Sequence, residues 1–317
     1  METGANQQKK SDVIIVRVRS GLGNQLFQYA LARHLSIIHK KRLKLDISDY
    51  TAANPNQLKG VRVYCLNHFD IKAEIAKSED TAPFQKYLKK NLFSKVLRRA
   101  SGFGEYYKYK RSYIYESPKT HKNFHSNILT ESLKTVGYLD GFWQSEKYFI
   151  SIENIIREDF VFKDVPDEMN KKMLEEIDSS NAVSIHIRRG DYATKFAPKH
   201  MILPISYYHK AIEDLTINVK NPYFYVFSDN PEWAKENLHL NFPSTFVSHN
   251  GDEKNYEDLR LMSHCRHHII ANSTFSWWGA WIGKKPGQLV YAPKRYFIYG
   301  DIPTFDFYPA SWKLIEI

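Results

Sequence analysis

One stretch decides the fold class of this chain: Ser184-Ile185-His186-Ile187-Arg188-Arg189-Gly190-Asp191. An apolar, β-branched run over 182–187 ends here in two arginines, a glycine and an acid. This pattern predicts a buried strand that delivers fixed cations to the carboxyl end of a sheet, where open α/β folds bind ligands. Guanidinium groups stay charged and match phosphate oxygens with planar donors, so we expect a phosphate-bearing ligand.

Strand and helix patterns alternate on both sides of this stretch. At the amino end, a strand at 13–18, a tight turn at 20–24, a helix over 25–39 and a strand at 43–47 form a β-α-β unit. Beyond 187, we predict strands at 223–227, 245–248, 268–271 and 289–292, and helices near 206–215, 231–238, 256–265 and 275–283. This order predicts parallel sheets and the α/β class.

The length of 317 residues predicts two domains. A polar stretch over 164–180, which holds one helical pattern, separates the two series of strands and helices. We therefore expect one domain over 12–170 and a second over 171–317. Both are expected to be Rossmann-like, and to face each other across a cleft.

Composition and charge narrow the class of partner. The net charge of +10 favours anionic partners, namely nucleic acid, acidic lipid or nucleotide-linked substrates. The two cysteines, Cys65 and Cys265, match no metal-binding or redox spacing, which predicts free thiols in a reducing compartment. No apolar signal segment and no run of about 18 apolar residues occurs, so we expect a cytoplasmic protein.

Residues 86–111 hold nine lysines and arginines against one acid, Glu105, and their first half has an amphipathic helical pattern. Such a segment can lie on the inner, anionic face of a membrane, or it can be a solvated helix packed on the body. Tyrosines at 106, 107 and 109 make it the stretch closest to a nucleic-acid-binding pattern. The net charge fits a nucleotide substrate better, and we expect no nucleic-acid partner.

Gly21-Leu22-Gly23-Asn24-Gln25 lies between the first strand and the first helix. It begins like a dinucleotide-binding fingerprint, but Leu26 stands where the third glycine belongs. The glycines permit close approach of a ligand, and the amides of Asn24 and Gln25 can bond phosphate or hydroxyl groups. A tight turn with no ligand explains the same residues, so both interpretations stay open.

Three strand ends in the second half supply further candidates. His186 and Arg188 share one face of their strand, because side chains alternate, and both can reach a ligand. Arg189 and Asp191 can pair to hold the loop, and Asp191 is also a candidate catalytic base. Asp229 can bond a ribose or a guanine edge, or it can cap the helix that Pro231 starts.

The third strand end is Asn272-Ser273-Thr274-Phe275-Ser276, where hydroxyl groups meet a helix start. Free N–H groups and the positive end of the helix dipole make this a phosphate cradle. The sequence contains no Asp-x-Asp, which argues against a metal that holds a diphosphate.

Four segments together resemble the bacterial galactoside α-1,2-fucosyltransferases of glycosyltransferase family 11. They are Gly-Leu-Gly-Asn-Gln-Leu-Phe-Gln-Tyr-Ala at 21–30, His-Ile-Arg-Arg-Gly-Asp-Tyr at 186–192, Ser-Asp-Asn at 228–230 and Asn-Ser-Thr-Phe-Ser-Trp-Trp-Gly-Ala-Trp at 272–281. The resemblance implies a GT-B fold and inverting, metal-independent transfer of L-fucose from GDP-β-L-fucose to the 2-hydroxyl of a terminal galactoside. The donor is a substrate, no cofactor is implied, and another GDP-sugar or fucosyl linkage is the alternative.

The resemblance also implies a role for each candidate residue. The 12–170 domain is expected to bind mainly the acceptor, a galactose-terminated oligosaccharide or lipid-linked glycan of a bacterial surface polysaccharide, and the 171–317 domain the GDP-sugar. Arg188 would bind the β-phosphate, and His186 and Asp229 would contact guanine or ribose. Ser273, Thr274 and Ser276, with Asn272 in the same turn, would bracket the diphosphate. Asn24, with Gly23 and Gln25, would reach the donor from the other domain. Arg188 and Asp191 are the expected catalytic residues, and no residue is expected to bind a metal.

Overall fold

The computed structural model describes residues 12–51, 62–88, 92–94, 96, 112–116, 123–130, 137–190, 201–296 and 306–317. The chain divides into two compact units, Met1–Asp159 and Phe160–Ile317, called unit 1 and unit 2 here. Each has its own parallel sheet with helices, so the expected α/β class with two Rossmann-like domains is confirmed. The expected cleft between the domains stays a prediction.

Unit 1 is built on a five-stranded sheet in the order β3-β2-β1-β5-β4, with every pair parallel. The strands are β1 (Val13–Arg17), β2 (Arg42–Asp46), β3 (Glu74–Ile75), β4 (Tyr113–Tyr115) and β5 (Gly137–Asp140). The central strand β1 carries three fully buried residues in a row, Ile14, Ile15 and Val16. A parallel strand covered on both faces requires such a continuous apolar run.

Helix α1 (Leu22–Ile38) joins β1 to β2 and confirms the β-α-β unit, although it begins three residues before the expected position. The other helices for which the structure gives bounds in unit 1 are short. They are one-turn helices at Ser48–Thr51, Ser78–Thr81, Gln85–Leu88 and Asn127–Thr130, 3-10 turns at Leu66–His68, Ala82–Phe84, Glu146–Tyr148 and Ile150–Ile152, and helix α2 (Glu153–Asp159).

Unit 2 has a six-stranded parallel sheet in the order β11-β10-β9-β6-β7-β8. Its strands are β6 (Ala182–Ile187), β7 (Tyr223–Ser228), β8 (Ser244–Val247), β9 (His267–Ile269), β10 (Val290–Pro293) and β11 (Lys313–Ile315). Its helices are α3 (Glu168–Asp178), α4 (Ile205–Asn218), α5 (Pro231–Asn237), α6 (Asn255–His264) and α7 (Thr274–Ile282), with a 3-10 turn at Asp252–Lys254. The expected strands and helices of this half are confirmed to within a few residues, and β11 adds an unexpected edge.

Strand β6 is buried along its whole length, as its apolar sequence predicts. Val183, Ile185 and Ile187 pack in one core with α4, whereas Ala182 belongs to a second core with α6. The strand therefore has one helix layer on each face, and its direction fixes where Arg188 leaves the sheet.

Along the chain, unit 1 ends at residue 159 and unit 2 begins at 160. The expected boundary lies between 170 and 171, which is inside α3. Contacts within unit 2 explain the difference. The guanidinium of Arg260 donates to the carbonyl oxygen of Asp164 at 2.7 Å, and Asp167 caps α3 by accepting the N–H of Asn170 at 3.0 Å. The polar stretch before α3 is thus bound to α6 and belongs with unit 2.

Both cysteines are free and buried, one in each unit. Burial raises the pKa of the Cys65 thiol to about 11, and it also raises that of Cys265 above its ordinary value. Among the described residues, no helix combines the length and the apolar composition that a membrane span needs. Most of the basic segment 86–111 lies outside the described residues.

Candidate functional site

The sheet of unit 2 extends in both directions from β6 and β9. Strands β7 and β8 follow β6 on one side, and β10 and β11 follow β9 on the other. Ligands of open parallel sheets bind outside the carboxyl ends of the strands at such a switch point. The segments that leave β6 and β9 are those with the arginines and with the hydroxyl groups, so the topology brings both sequence-predicted groups to this point.

Asp229, at the end of β7, holds the segment that leaves β6. Its Oδ1 accepts the backbone N–H of Arg189 at 2.8 Å, and its Oδ2 accepts the N–H of Gly190 at 3.0 Å. Nε of Arg188 lies 3.0 Å from the same Oδ2. One carboxylate therefore fixes both the backbone turn at 189–190 and the guanidinium of Arg188. The sequence did not reveal this double role of Asp229.

The cap of helix α5 is the neighbouring residue, Asn230. Its side-chain oxygen accepts the N–H of Trp233 at 3.2 Å, with Pro231 at the first helical position. The sequence left Asp229 open between ligand and cap, and the structure gives the cap to Asn230.

The two arginines have different surroundings. Arg188 stays with Asp229, whereas the guanidinium carbon of Arg189 lies 3.7 Å from the centre of the Trp233 ring, a cation–π contact. Asp191, the proposed base and the expected partner of Arg189, lies outside the described residues. Its role stays a prediction.

His186 is a buried, neutral imidazole beside Arg188. Burial, and after it the charge of Arg188, lowers the pKa of His186 to about 3, so the ring is uncharged at physiological pH. Its Nδ1 is buried and has no hydrogen-bond partner among the described residues. Its ring centre lies 5.7 Å from that of Phe275 in the first turn of α7. An uncharged donor–acceptor group thus lies beside both predicted phosphate-binding elements.

The turn into α7 consists of largely buried residues, and they differ in whether they start the helix or hold the turn. Ser273 caps the helix, with Oγ accepting the N–H of Phe275 at 3.3 Å, and Thr274 is the first helical residue. Ser276 is buried and its hydroxyl donates to the carbonyl of Ser273. Asn272 is buried too, and its amide donates to the carbonyl oxygens of Met201 and Tyr296 at 2.8 and 3.0 Å. Asn272 and Ser276 therefore hold the turn, and the predicted phosphate cradle lies at the helix start itself.

In unit 1, the turn after β1 places Asn24 and Gln25 differently. Asn24 is partly exposed, donates to Oγ of Ser20 at 3.0 Å and accepts from the amide of Gln144 at 2.6 Å. Gln25 is fully buried. Its amide donates to the carbonyls of Ser20 and Val63 at 3.1 and 2.7 Å and accepts the N–H of Cys65 at 2.9 Å. Gln25 thus closes the turn, next to the equally buried Gly23.

Sequence reasoning missed a charged cluster at the carboxyl end of the unit 1 sheet. Asp140, the last residue of β5, accepts the hydroxyl of Tyr113 at 2.6 Å and lies 3.2 Å from Nη2 of Arg19. Asp46, which ends β2, accepts the hydroxyl of Tyr138 at 2.5 Å. The available signal was the pair of arginines at 17 and 19, directly after the apolar run of β1.

The fold is also found in a solved glycosyltransferase. NodZ α-1,6-fucosyltransferase, in a crystal soaked with GDP-fucose, superposes with a TM-score of 0.50 at 14% identity, covering 86% of this chain and 93% of NodZ. The likeness confirms the GT-B type of α/β fold.

The family follows from the sequence comparison. The model of glycosyl transferase family 11 matches residues 13–295, and the chain belongs to this family. Relatives of similar length include an α-1,2-colitosyltransferase of Escherichia coli, 32% identical over 96% of this chain and 99% of its own. The O-antigen biosynthesis glycosyltransferase WbnK of Escherichia coli is 33% identical over 87% of this chain and 92% of its own. Human galactoside α-(1,2)-fucosyltransferase 1 is 27% identical over 48% of this chain and 44% of its own.

Proposed function

We propose that this glycosyltransferase moves L-fucose from GDP-β-L-fucose to the 2-hydroxyl of a terminal galactoside, forming an α-1,2 linkage with inversion. The observation that carries the proposal is the arrangement at the switch point of unit 2, where Asp229 holds Arg188 and the ring of His186 lies 5.7 Å from that of Phe275 at the start of α7. The names of the relatives support it, since they include an α-1,2-colitosyltransferase and a galactoside α-(1,2)-fucosyltransferase. NodZ, which shares the fold, was soaked with GDP-fucose.

For the donor, we assign Arg188 to the β-phosphate and the start of α7, with Ser273 and Thr274, to the diphosphate. The neutral ring of His186 is suited to a guanine edge or a ribose hydroxyl. The carboxylate of Asp229 has about four acceptor positions, and the loop after β6 occupies three of them. The remaining position can accept a hydrogen bond from the guanine or the ribose of the donor. Asn24 is the proposed contact from unit 1. Gly23, Gln25, Asn272 and Ser276 serve by positioning the two turns.

The chemistry follows from where charge develops. As the acceptor oxygen attacks the anomeric carbon, the bond to the β-phosphate oxygen breaks and negative charge gathers on the departing GDP. The guanidinium of Arg188 and the positive end of the α7 dipole are already in place to stabilise it, so we propose that no metal is required. We assign the proton of the acceptor hydroxyl to Asp191 as the base.

A second donor deserves a direct comparison because a relative of full length is named a colitosyltransferase. Colitose differs from fucose by one missing hydroxyl group. A site that hydrogen-bonds this hydroxyl rejects the deoxy sugar by a factor on the order of 10⁴, whereas an apolar pocket discriminates only about a hundredfold. The ratio of kcat/KM for GDP-fucose and GDP-colitose therefore decides which sugar the protein uses.

The transfer assay combines GDP-fucose with lactose, lacto-N-biose or a lipid-linked glycan, and NMR of the product gives the linkage. Arg188→Ala should lower kcat/KM on the order of 10²–10³. Arg157→Ala is the matched control, because Arg157 is a partly exposed arginine paired with Glu153 at 2.8 Å in α2. Normal turnover of Arg188→Ala, a linkage other than α-1,2, or loss of activity in EDTA would each contradict part of the proposal.

For localisation, we propose a cytoplasmic enzyme that meets a lipid-linked acceptor at the inner face of the membrane. Leu92, Phe93 and Val96 support this, since they are 77%, 66% and 53% exposed within the basic sequence. Flotation with anionic and with neutral vesicles tests it. Phe93→Glu should release the protein from anionic vesicles, whereas Ile217→Glu, which replaces a still more exposed apolar residue of unit 2, should not. If both variants float equally with anionic vesicles, the proposed membrane contact is wrong.

A further inference from the structure

Unit 1 has a switch point of its own. Strands β2 and β3 lie on one side of β1, and β5 and β4 on the other, so the sheet extends in both directions from the pair β1 and β5. The residues that follow these two strands are 18–20 and 141–144. A ligand site of unit 1 is therefore expected at these two segments.

The segment after β5 is held in a costly conformation. Trp143 has a φ of 54°, which is rare for a bulky residue. The backbone N–H of Phe142 and that of Trp143 both donate to Oε2 of the buried Glu116, at 2.5 and 3.0 Å. A side chain at Gly141 would collide with Glu116 and Trp143. Backbone strain that its surroundings enforce in this way is found most often at functional sites.

The strained segment presents Phe142 to Arg19. The guanidinium carbon of Arg19 lies 4.6 Å from the centre of the Phe142 ring, and Nη2 lies 3.2 Å from Asp140. Nε of Arg19 is buried and has no hydrogen-bond partner among the described residues. Phe142 is partly exposed. The Arg19 side chain is 27% exposed, so a partly accessible planar donor group lies against an accessible aromatic ring.

The charges of this cluster disfavour a diphosphate. Arg17, Arg19 and, against the turn at Gly21, Arg62 are three cations, whereas the carboxylates are four: Asp46, Asp49, Glu116 and Asp140. The cluster carries more negative than positive charge, so it repels the anion that the end of β6 attracts. A neutral ligand rich in hydroxyl groups suits it, because the hydroxyls use the donors and the ring covers apolar C–H groups.

We propose that Arg19 and Phe142 form the subsite for the terminal sugar of the acceptor. The guanidinium of Arg19 donates to neighbouring sugar hydroxyls, and the Phe142 ring packs on the C–H face of the sugar. Asp140 and Glu116 are positioning residues that fix the guanidinium and the ring. The identity of the sugar as a galactoside rests on the proposed function.

Kinetics of Arg19→Lys and Phe142→Leu test the subsite. Both should raise the KM for lactose about tenfold or more and leave the KM for GDP-fucose and the dissociation constant of GDP within twofold of wild type. Phe162→Leu is the matched control, because Phe162 lies under Arg260 at 4.7 Å in unit 2, a similar pair in another place. An unchanged lactose KM in Phe142→Leu, or a GDP affinity that falls with it, would overturn the subsite.

A binding readout separates this proposal from the proposed function. Saturation-transfer NMR with methyl β-galactoside should give signals with wild type and with Phe162→Leu, and none with Phe142→Leu. If wild type binds the galactoside in this way but does not transfer fucose, the subsite stands and the donor assignment fails. If wild type transfers fucose while Phe142→Leu keeps its galactoside signals, the subsite fails and the function stands.

Discussion

The carboxylate of Asp229 lies so close to Gly190 that a Cβ at this position would displace it. A Cβ on Gly190 would lie 2.9 Å from Oδ2 of Asp229 and 3.2 Å from its carboxyl carbon, whereas Oδ2 accepts the N–H of Gly190 at 3.0 Å. The same oxygen binds Arg188. The glycine therefore allows one acid to hold both the backbone and the guanidinium of Arg188.

Gly190→Ala should lower kcat/KM for fucosyl transfer on the order of tenfold to a hundredfold. The added methyl group pushes Asp229 away, so Arg188 loses its fixed position, and a misplacement of about 1 Å costs on this scale. Steady-state kinetics with GDP-fucose measure the effect. Gly251→Ala is the control, since a Cβ there meets nothing within 4 Å. Wild-type activity in Gly190→Ala would show that transfer does not depend on the close approach of Gly190 to Asp229.

Gln25→Leu should destabilise unit 1 by roughly 2–4 kcal/mol. The leucine cannot bond Ser20, Val63 or Cys65, so it leaves buried backbone groups unpaired. Urea unfolding, followed by fluorescence, measures the loss. Gln85→Leu changes an exposed glutamine of the same unit and should stay within about 0.5 kcal/mol of wild type. Similar curves for both variants would contradict the role of Gln25.

The buried histidines should make the protein less stable in acid. Burial lowers the pKa of His186 and of His268 to about 3. Between pH 6.5 and 3 the unfolded chain binds protons that the folded chain does not, so the free energy of unfolding falls as the pH falls. His268→Gln should reduce this slope between pH 7 and 4.5, and exposed His239→Gln should not. An unchanged slope in His268→Gln would mean that another group causes the loss.

Asp258 should make the protein less stable as the pH rises, which is the opposite of the effect of the histidines. Burial, with the charge of Glu257 as a smaller cause, raises the pKa of Asp258 to about 7, and a hydrogen bond from Asn250 opposes the shift. The folded state therefore holds a proton that the unfolded state releases, and stability falls as the pH rises from about 4 through 7. Asp258→Asn keeps an acceptor for Asn250 and should raise the melting temperature by several degrees at pH 8 but little at pH 5. Asp252→Asn, at an exposed acid, should change neither value.

The central strand of each sheet could be predicted from its apolar residues. Strand β1 has four apolar residues in a row, and β6 has Val183, Ile185 and Ile187 on one face and Ala182 on the other. Strands β3, β4 and β5 were missed. They have two, three and four residues, and β5 begins at Gly137 and ends at Asp140, so only pairing with β1 makes it a strand. The charged cluster that depends on β5 was missed for the same reason.

The site could be predicted by position but not by role. The sequence places Arg188, Asp229 and Ser273 at strand ends, where the structure has them. It cannot decide which of two adjacent residues, Asp229 or Asn230, caps α5, since both types cap helices well. The amide of Gln25 looks like a ligand group, and only its burial shows that it is used inside the fold.

Each unit contains one buried cysteine, whose reaction with a thiol reagent reports the opening of that unit. Cys65 is 1% exposed in unit 1 and Cys265 is fully buried in unit 2, and the sequence holds no other thiol. A thiol reagent can therefore react only after the surrounding unit has opened. Mass spectrometry of the labelled peptides under native conditions gives two independent opening rates from one sample, and the effect of a bound nucleotide or sugar on each rate identifies the unit that holds it.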